Sequence, residues 1–157
     1  MASKYSAAAV TLAVSAVAFL TTFAIWPNPP GALQPPSTLL PFFAVLSIIE
    51  CLAFGLGVTF MVFGGARLAA LGQGRPLTIL AYVCTAWLLV NWWPHDNLHR
   101  VTGFEWVGLL KIEYGFHVTL MVAGAVVAYF FWRVVTATRS ADPGSTATGR
   151  ALPENAL

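Results

Sequence analysis

The sequence predicts an all-α membrane protein, a four-transmembrane-helix bundle followed by a disordered cytoplasmic tail. Of its 157 residues, 58% are hydrophobic and only 9% are charged, whereas a soluble domain carries about 25% charged residues. Four apolar stretches also reach the length of about 20 residues that a membrane-spanning helix needs. Finally, the basic residues lie almost entirely on one side of these stretches.

The four predicted spans cover residues 6–26, 38–65, 76–93 and 107–132, within a transmembrane domain of residues 1–137. The first span exceeds the apolar core of a secretory signal, about 7–15 residues, and is therefore predicted to be a retained helix. A proline-rich connection over 27–37 favours extended backbone. Residues 138–157 are small and polar, and they are predicted to be a disordered tail.

Orientation follows from the distribution of positive charge, which is retained on the cytoplasmic side of a membrane. Four spans put six basic residues on one side: Lys4, Arg67, Arg75, Arg133, Arg139 and Arg150. The sequence thus predicts a multi-pass protein of a bacterial-type plasma membrane, with both termini cytoplasmic and loops 27–37 and 94–106 outside. The lipid bilayer is the expected partner, and a net charge of +2 is too small to indicate nucleic acid.

Three ionisable residues are predicted to lie deep in the bilayer, where a charge costs about 2.5 kcal/mol or more. Counting about 1.5 Å per residue places Glu50 and His117 about 15–18 Å below the outer interface. Glu113 and His117 are four residues apart and share a helical face. We expect Glu50, Glu113 and His117 to form a buried, proton-sharing polar cluster.

The 94–106 loop carries a second group of polar residues. If residues 94–100 are helical, with Pro94 as the first residue, His95 and His99 share one face and Asp96 pairs with Arg100. This spacing can present two imidazoles to a metal ion. The candidate metal ligands are therefore His95, His99, Glu113 and His117, although histidines in a polar loop also serve ordinary interfacial hydrogen bonding.

Other cofactors fit the pattern less well. Two axial histidines of a haem must lie at similar depth, and the predicted spans leave His117 deep while His95 and His99 lie near the surface. Cys51 and Cys84 lie in apolar runs without a basic neighbour, so they are expected to be small buried hydrophobes rather than a redox pair.

Two functional interpretations remain open from the sequence, and neither specifies an enzymatic reaction. In the first, an outward-facing site of histidines and carboxylates binds a transition metal or moves protons. In the second, the protein is a non-catalytic accessory or assembly subunit of a larger membrane complex. The polar groups would then be hydrogen-bonding links between helices.

Overall fold

The computed structural model describes residues 4–31, 35–103 and 105–140, and within these ranges every regular element is helical. The helices are α1 (Lys4–Ile25), α2 (Leu40–Ala69), α3 (Arg75–Val90), α4 (Trp92–Thr102), α5 (Trp106–Ile112) and α6 (Thr119–Ser140). A 3₁₀ turn (Ser37–Leu39) leads into α2, and a π-helical segment (Glu113–Val118) joins α5 to α6. The all-α prediction is thus confirmed for the described residues.

Three helical segments are long and apolar enough to cross a membrane: Tyr5–Ile25, Ser37–Ala69 and Trp106–Thr138. A fourth crossing exists only if α3 and α4, which meet at a bend of 44°, count as one span. By itself α3 has 16 residues, or about 24 Å at the rise of an α-helix, which is short of a hydrocarbon core of about 30 Å. The structure therefore supports three or four membrane-spanning segments.

The bend between α3 and α4 is explained by a proline, Pro94. Pro94 has no amide hydrogen, and its ring crowds the carbonyl of Val90 four residues earlier, which kinks a helix. The Asn91 side chain also donates to the carbonyl oxygen of Trp87 at 2.8 Å, beside the bond from the Asn91 backbone amide. Helix α4 begins at Trp92, two residues before the predicted start at Pro94.

The helices pack largely in chain order: α1 against α2, α2 against α3, and α3 against α6. The short helix α4 contacts both α2 and α5, and so connects the two flanks of the molecule. A small apolar core lies near the Arg75 end of α3, where Phe130 is fully buried beside Leu68 and Ala81.

Most large apolar side chains point outward, such as Leu20 at 79% exposure and Met121 at 75%. Outward-facing apolar surface on this scale fits contact with lipid rather than water.

The C-terminal helix extends beyond its predicted end. The fourth span was predicted to end at residue 132, whereas α6 continues to Ser140 and includes residues 138–140 of the predicted tail. The rest of that tail, residues 141–157, lies outside the described residues.

Candidate metal centre

The three histidines of the chain converge on one place in the fold. His95 and His99 lie on α4, His117 lies in the π-helical segment, and one ring nitrogen from each falls within 4.8 Å of the others. The ring centroid of His95 is 4.7 Å from that of His99 and 4.7 Å from that of His117. All three side chains are half-buried.

Helix α4 sets the first pair. His95 and His99 are one turn apart, so their side chains lie on the same face of the helix. Their Nε2 atoms are 3.1 Å apart, with the rings edge to face. The predicted consequence of a helix over 94–100, two imidazoles on one face, is thus present in the structure.

The π-helical segment supplies the third histidine together with a carboxylate. Glu113 Oε2 and His117 Nδ1 are 2.5 Å apart. A π-helix is rare and is usually found as a single turn near functional sites. Here the Thr119 hydroxyl donates to the carbonyl oxygen of Gly115 at 2.7 Å, within the stretch where the hydrogen-bonding pattern changes.

The hydrogen bond from His117 to Glu113 determines which ring nitrogen is available. If Nδ1 carries the proton donated to the carboxylate, Nε2 has a free lone pair and can bind a metal. Metal-binding histidines commonly donate their second nitrogen to a carboxylate in this way, which fixes the tautomer and raises ligand basicity.

The distances suit one small ion bound by three imidazoles. An ion held tetrahedrally at 2.0–2.1 Å from each nitrogen sets those nitrogens about 3.3 Å apart. The His95–His99 pair already matches this spacing at 3.1 Å. The His117 nitrogen lies within 4.8 Å of the other two, so a rotation of its side chain is enough to bring it to the same spacing.

One side of the cluster is aromatic and the other is open. Trp87 and Phe116 stack with ring centroids 6.2 Å apart, and Phe116 lies 5.4 Å from the His95 ring. The side chains of His117 and Glu113, by contrast, are 40% and 52% exposed. Three ligands with an open side leave room for a fourth, exchangeable ligand.

The predicted depth difference among the histidines is wrong. Residue counting placed His117 far below His95 and His99, yet the three rings are in contact distance. Counting assumed that residues 94–106 form a surface loop. Instead most of that segment is helix α4, which packs against α5 and so brings its histidines to the π-helical segment.

Glu50 is buried, with 5% of its surface exposed, and its carboxyl group interacts electrostatically with the Asp96 carboxyl group. Within the described residues no hydrogen bond joins Glu50 to Glu113 or His117. A single polar cluster of Glu50, Glu113 and His117 therefore stays a prediction, and the structure gives Glu50 a different immediate neighbour.

The expected pairing of Asp96 with Arg100 is not observed. Arg100 donates to Asn28 Oδ1, to the carbonyl oxygen of Trp26 and to Asn97 Oδ1. The guanidinium group reaches the end of α1 because two oxygen acceptors, Asn28 Oδ1 and the Trp26 carbonyl oxygen, lie just beyond it.

Two further expectations concern haem and thiol chemistry. The depth difference that disfavoured a haem is not observed, since the centroids of the three histidine rings are 4.7–5.9 Å apart. Cys51 is buried in α2 and Cys84 is half-buried in α3, and both thiols are free.

When the chain is compared with models of known families, with curated proteins and with solved structures, no match is found. Its function is therefore inferred from the geometry of this site.

Proposed function

We propose that the protein is a multi-pass membrane protein that binds a divalent transition metal through His95, His99 and His117. The observation that carries this proposal is the approach of three imidazole nitrogens to within 4.8 Å of one another. These are the only three histidines in a chain of 157 residues, and two separate helical segments bring them together.

The donor set narrows the choice of metal. Imidazole suits zinc, copper, iron and nickel, whereas magnesium and calcium prefer oxygen ligands. We assign Glu113 to the second coordination shell as the hydrogen-bond acceptor of His117, rather than to the metal itself. Zn²⁺ and Cu²⁺ are the first ions to test, since both accept three imidazoles together with one exchangeable ligand.

The open side of the site favours exchange over a purely structural role. Structural zinc sites are closed by four protein ligands, whereas sites with three protein ligands keep a position for water or a substrate. Under the proposed orientation, with the Arg75 end of α3 in the cytoplasm, this position faces the outer side of the membrane.

The experiment is metal analysis of protein purified in detergent, followed by titration with Zn²⁺ and Cu²⁺ after chelation. We expect about one ion per chain in the wild type and strongly reduced binding in His95→Ala/His99→Ala and in His117→Ala. Lys111→Ala is the matched control, because Lys111 is an exposed ionisable residue of α5 near the site. Affinity should fall as the pH drops, because a protonated imidazole has no lone pair for the metal ion.

Full metal content in both histidine variants would overturn the proposed ligands. Absence of metal binding in the wild type would instead favour the second interpretation, an assembly role in a larger membrane complex. In that case the outward-facing aromatic side chains near the site, Trp106 at 83% exposure and Tyr114 at 67%, are the surface to test for a partner protein.

A further inference from the structure

Two of the three proposed ligands, His95 and His99, lie on α4, which does not continue in the direction of α3. Helix α4 has 11 residues and leaves the axis of α3 at 44°. The position of α4 relative to the π-helical segment decides whether His95 and His99 reach His117. Packing against α2 and α5, together with polar contacts to the end of α1, holds α4 in place.

Arg100, one residue after His99, makes polar contacts that join α4 to the end of α1. Its guanidinium group donates to Asn28 Oδ1 at 2.5 Å and to the Trp26 carbonyl oxygen at 2.7 Å, both just beyond the end of α1. It also lies 5.1 Å from the centre of the Phe23 ring. A charged, planar group that reaches two acceptors and a ring at once is a geometry that only arginine provides.

The same guanidinium group is tied back to its own helix. Arg100 donates to Asn97 Oδ1 at 2.8 Å, and Asn97, which is 4% exposed, donates to the Trp93 carbonyl oxygen at 2.7 Å. The Trp93 indole in turn donates to the Thr22 hydroxyl at 3.0 Å. One face of α4 is thereby joined to α1 while its histidine face meets the π-helical segment.

We propose that Arg100 is a positioning residue of the metal centre: by fixing α4 to the end of α1, it holds His95 and His99 at the distance from His117 that a metal ion requires. This inference rests on the proposed metal site. Arg100 itself does not bind the ion, and its positive charge next to His99 opposes cation binding. Its proposed contribution is therefore the position of α4 rather than its charge.

The opposing effects of charge and position make the inference testable. Arg100→Lys keeps the positive charge, but an ammonium group cannot reproduce the planar fork of a guanidinium group. If Arg100 acts only through its charge, Arg100→Lys should bind Zn²⁺ like the wild type and Arg100→Ala should bind it more tightly. If Arg100 positions α4, both variants should bind Zn²⁺ more weakly, by about tenfold, the lower end of the range for changes outside the ligand set.

Asn28→Ala provides a variant that leaves the arginine and α4 unchanged in sequence. It removes one acceptor of the guanidinium group, so we expect weaker Zn²⁺ binding in the same direction as Arg100→Lys. The double variant Asn28→Ala/Arg100→Lys should be less affected than the sum of the two single changes, because both remove the same contact. Arg133→Lys, which alters a single bond to the Tyr129 hydroxyl on the exposed surface of α6, is the matched control.

The visible absorption spectrum of bound Co²⁺ supplies a readout that ordinary loss of stability would not change. Loss of one imidazole ligand should shift the Co²⁺ spectrum of Arg100→Lys towards that of His117→Ala. Should Arg100→Lys misfold, Asn28→Ala carries the same comparison. Wild-type affinity and spectrum in Arg100→Lys and Asn28→Ala would overturn the positioning role while leaving the metal site intact. Absence of Zn²⁺ binding in the wild type would overturn both.

Discussion

The hydrogen bond between Glu113 and His117 allows the sharpest quantitative test of the metal centre. Its two atoms are 2.5 Å apart, and both belong to the π-helical segment that carries the third proposed ligand. Removing the carboxylate in Glu113→Ala leaves His117 in place but frees its ring to rotate and to exchange tautomers. Metal affinity should therefore fall although every proposed ligand remains.

The magnitude follows from the chemistry and the exposure of the pair. Loss of a carboxylate that supports a metal-binding histidine typically weakens affinity about 10–100-fold. Because the Glu113 side chain is 52% exposed, water weakens the interaction, and we expect the lower end, about tenfold or about 1.4 kcal/mol. Glu113→Gln keeps a neutral acceptor, so about half of that free energy, or about threefold in affinity, should be lost.

The assay is competition for Zn²⁺ between the purified protein and a chromophoric chelator at constant pH and ionic strength. The order of affinity should be wild type, then Glu113→Gln, then Glu113→Ala, with His117→Ala weakest. Wild-type affinity in Glu113→Ala, beside a clear loss in His117→Ala, would show that the carboxylate does not support the ligand and would refute the reasoning.

Three further predictions concern packing, the buried carboxyl group and topology. Gly55→Ala should lower the stability of the α1–α2 pair by about 1–3 kcal/mol, because the added carbon would lie 2.5 Å from a carbonyl oxygen of α1. Gly124→Ala, with no neighbouring atom within 4 Å, should not lower the stability. Thermal unfolding in detergent measures both variants, and equal melting temperatures would contradict the close crossing of α1 and α2. Glu50→Gln should keep the melting temperature of the wild type, since glutamine retains the size and polarity of this buried side chain. Glu50→Ala should lower the melting temperature by leaving a cavity, and an unaltered Glu50→Ala protein would argue against an important role for the buried carboxyl group. A cysteine at Gln73, in a variant lacking the native cysteines, should react with an impermeant thiol reagent only after the membrane is opened, and labelling of intact cells would reverse the proposed orientation.

The helical, lipid-facing character of the chain could be predicted from sequence alone. Long apolar stretches with few charges predict helices, because a helix satisfies its backbone hydrogen bonds internally in lipid. Three of the predicted spans are helices long enough to cross a membrane. The histidines could also be singled out, because His95 and His99 are spaced by one helical turn and Glu113 and His117 by another. These inferences depend only on local periodicity and composition.

The assembly of the site depended on tertiary structure. Hydropathy treats residues 94–106 as a polar loop, but a short helix can form there when its polar groups find partners elsewhere, as Arg100 does at the end of α1. Packing of α4 against α5 then brings His117 together with His95 and His99, although 18 or more residues separate it from them in the sequence. Neither the π-helical segment nor the electrostatic interaction between Glu50 and Asp96 has a local sequence signature. Glu50 and Asp96 lie far apart in the sequence, so residue spacing along one helix cannot specify their interaction.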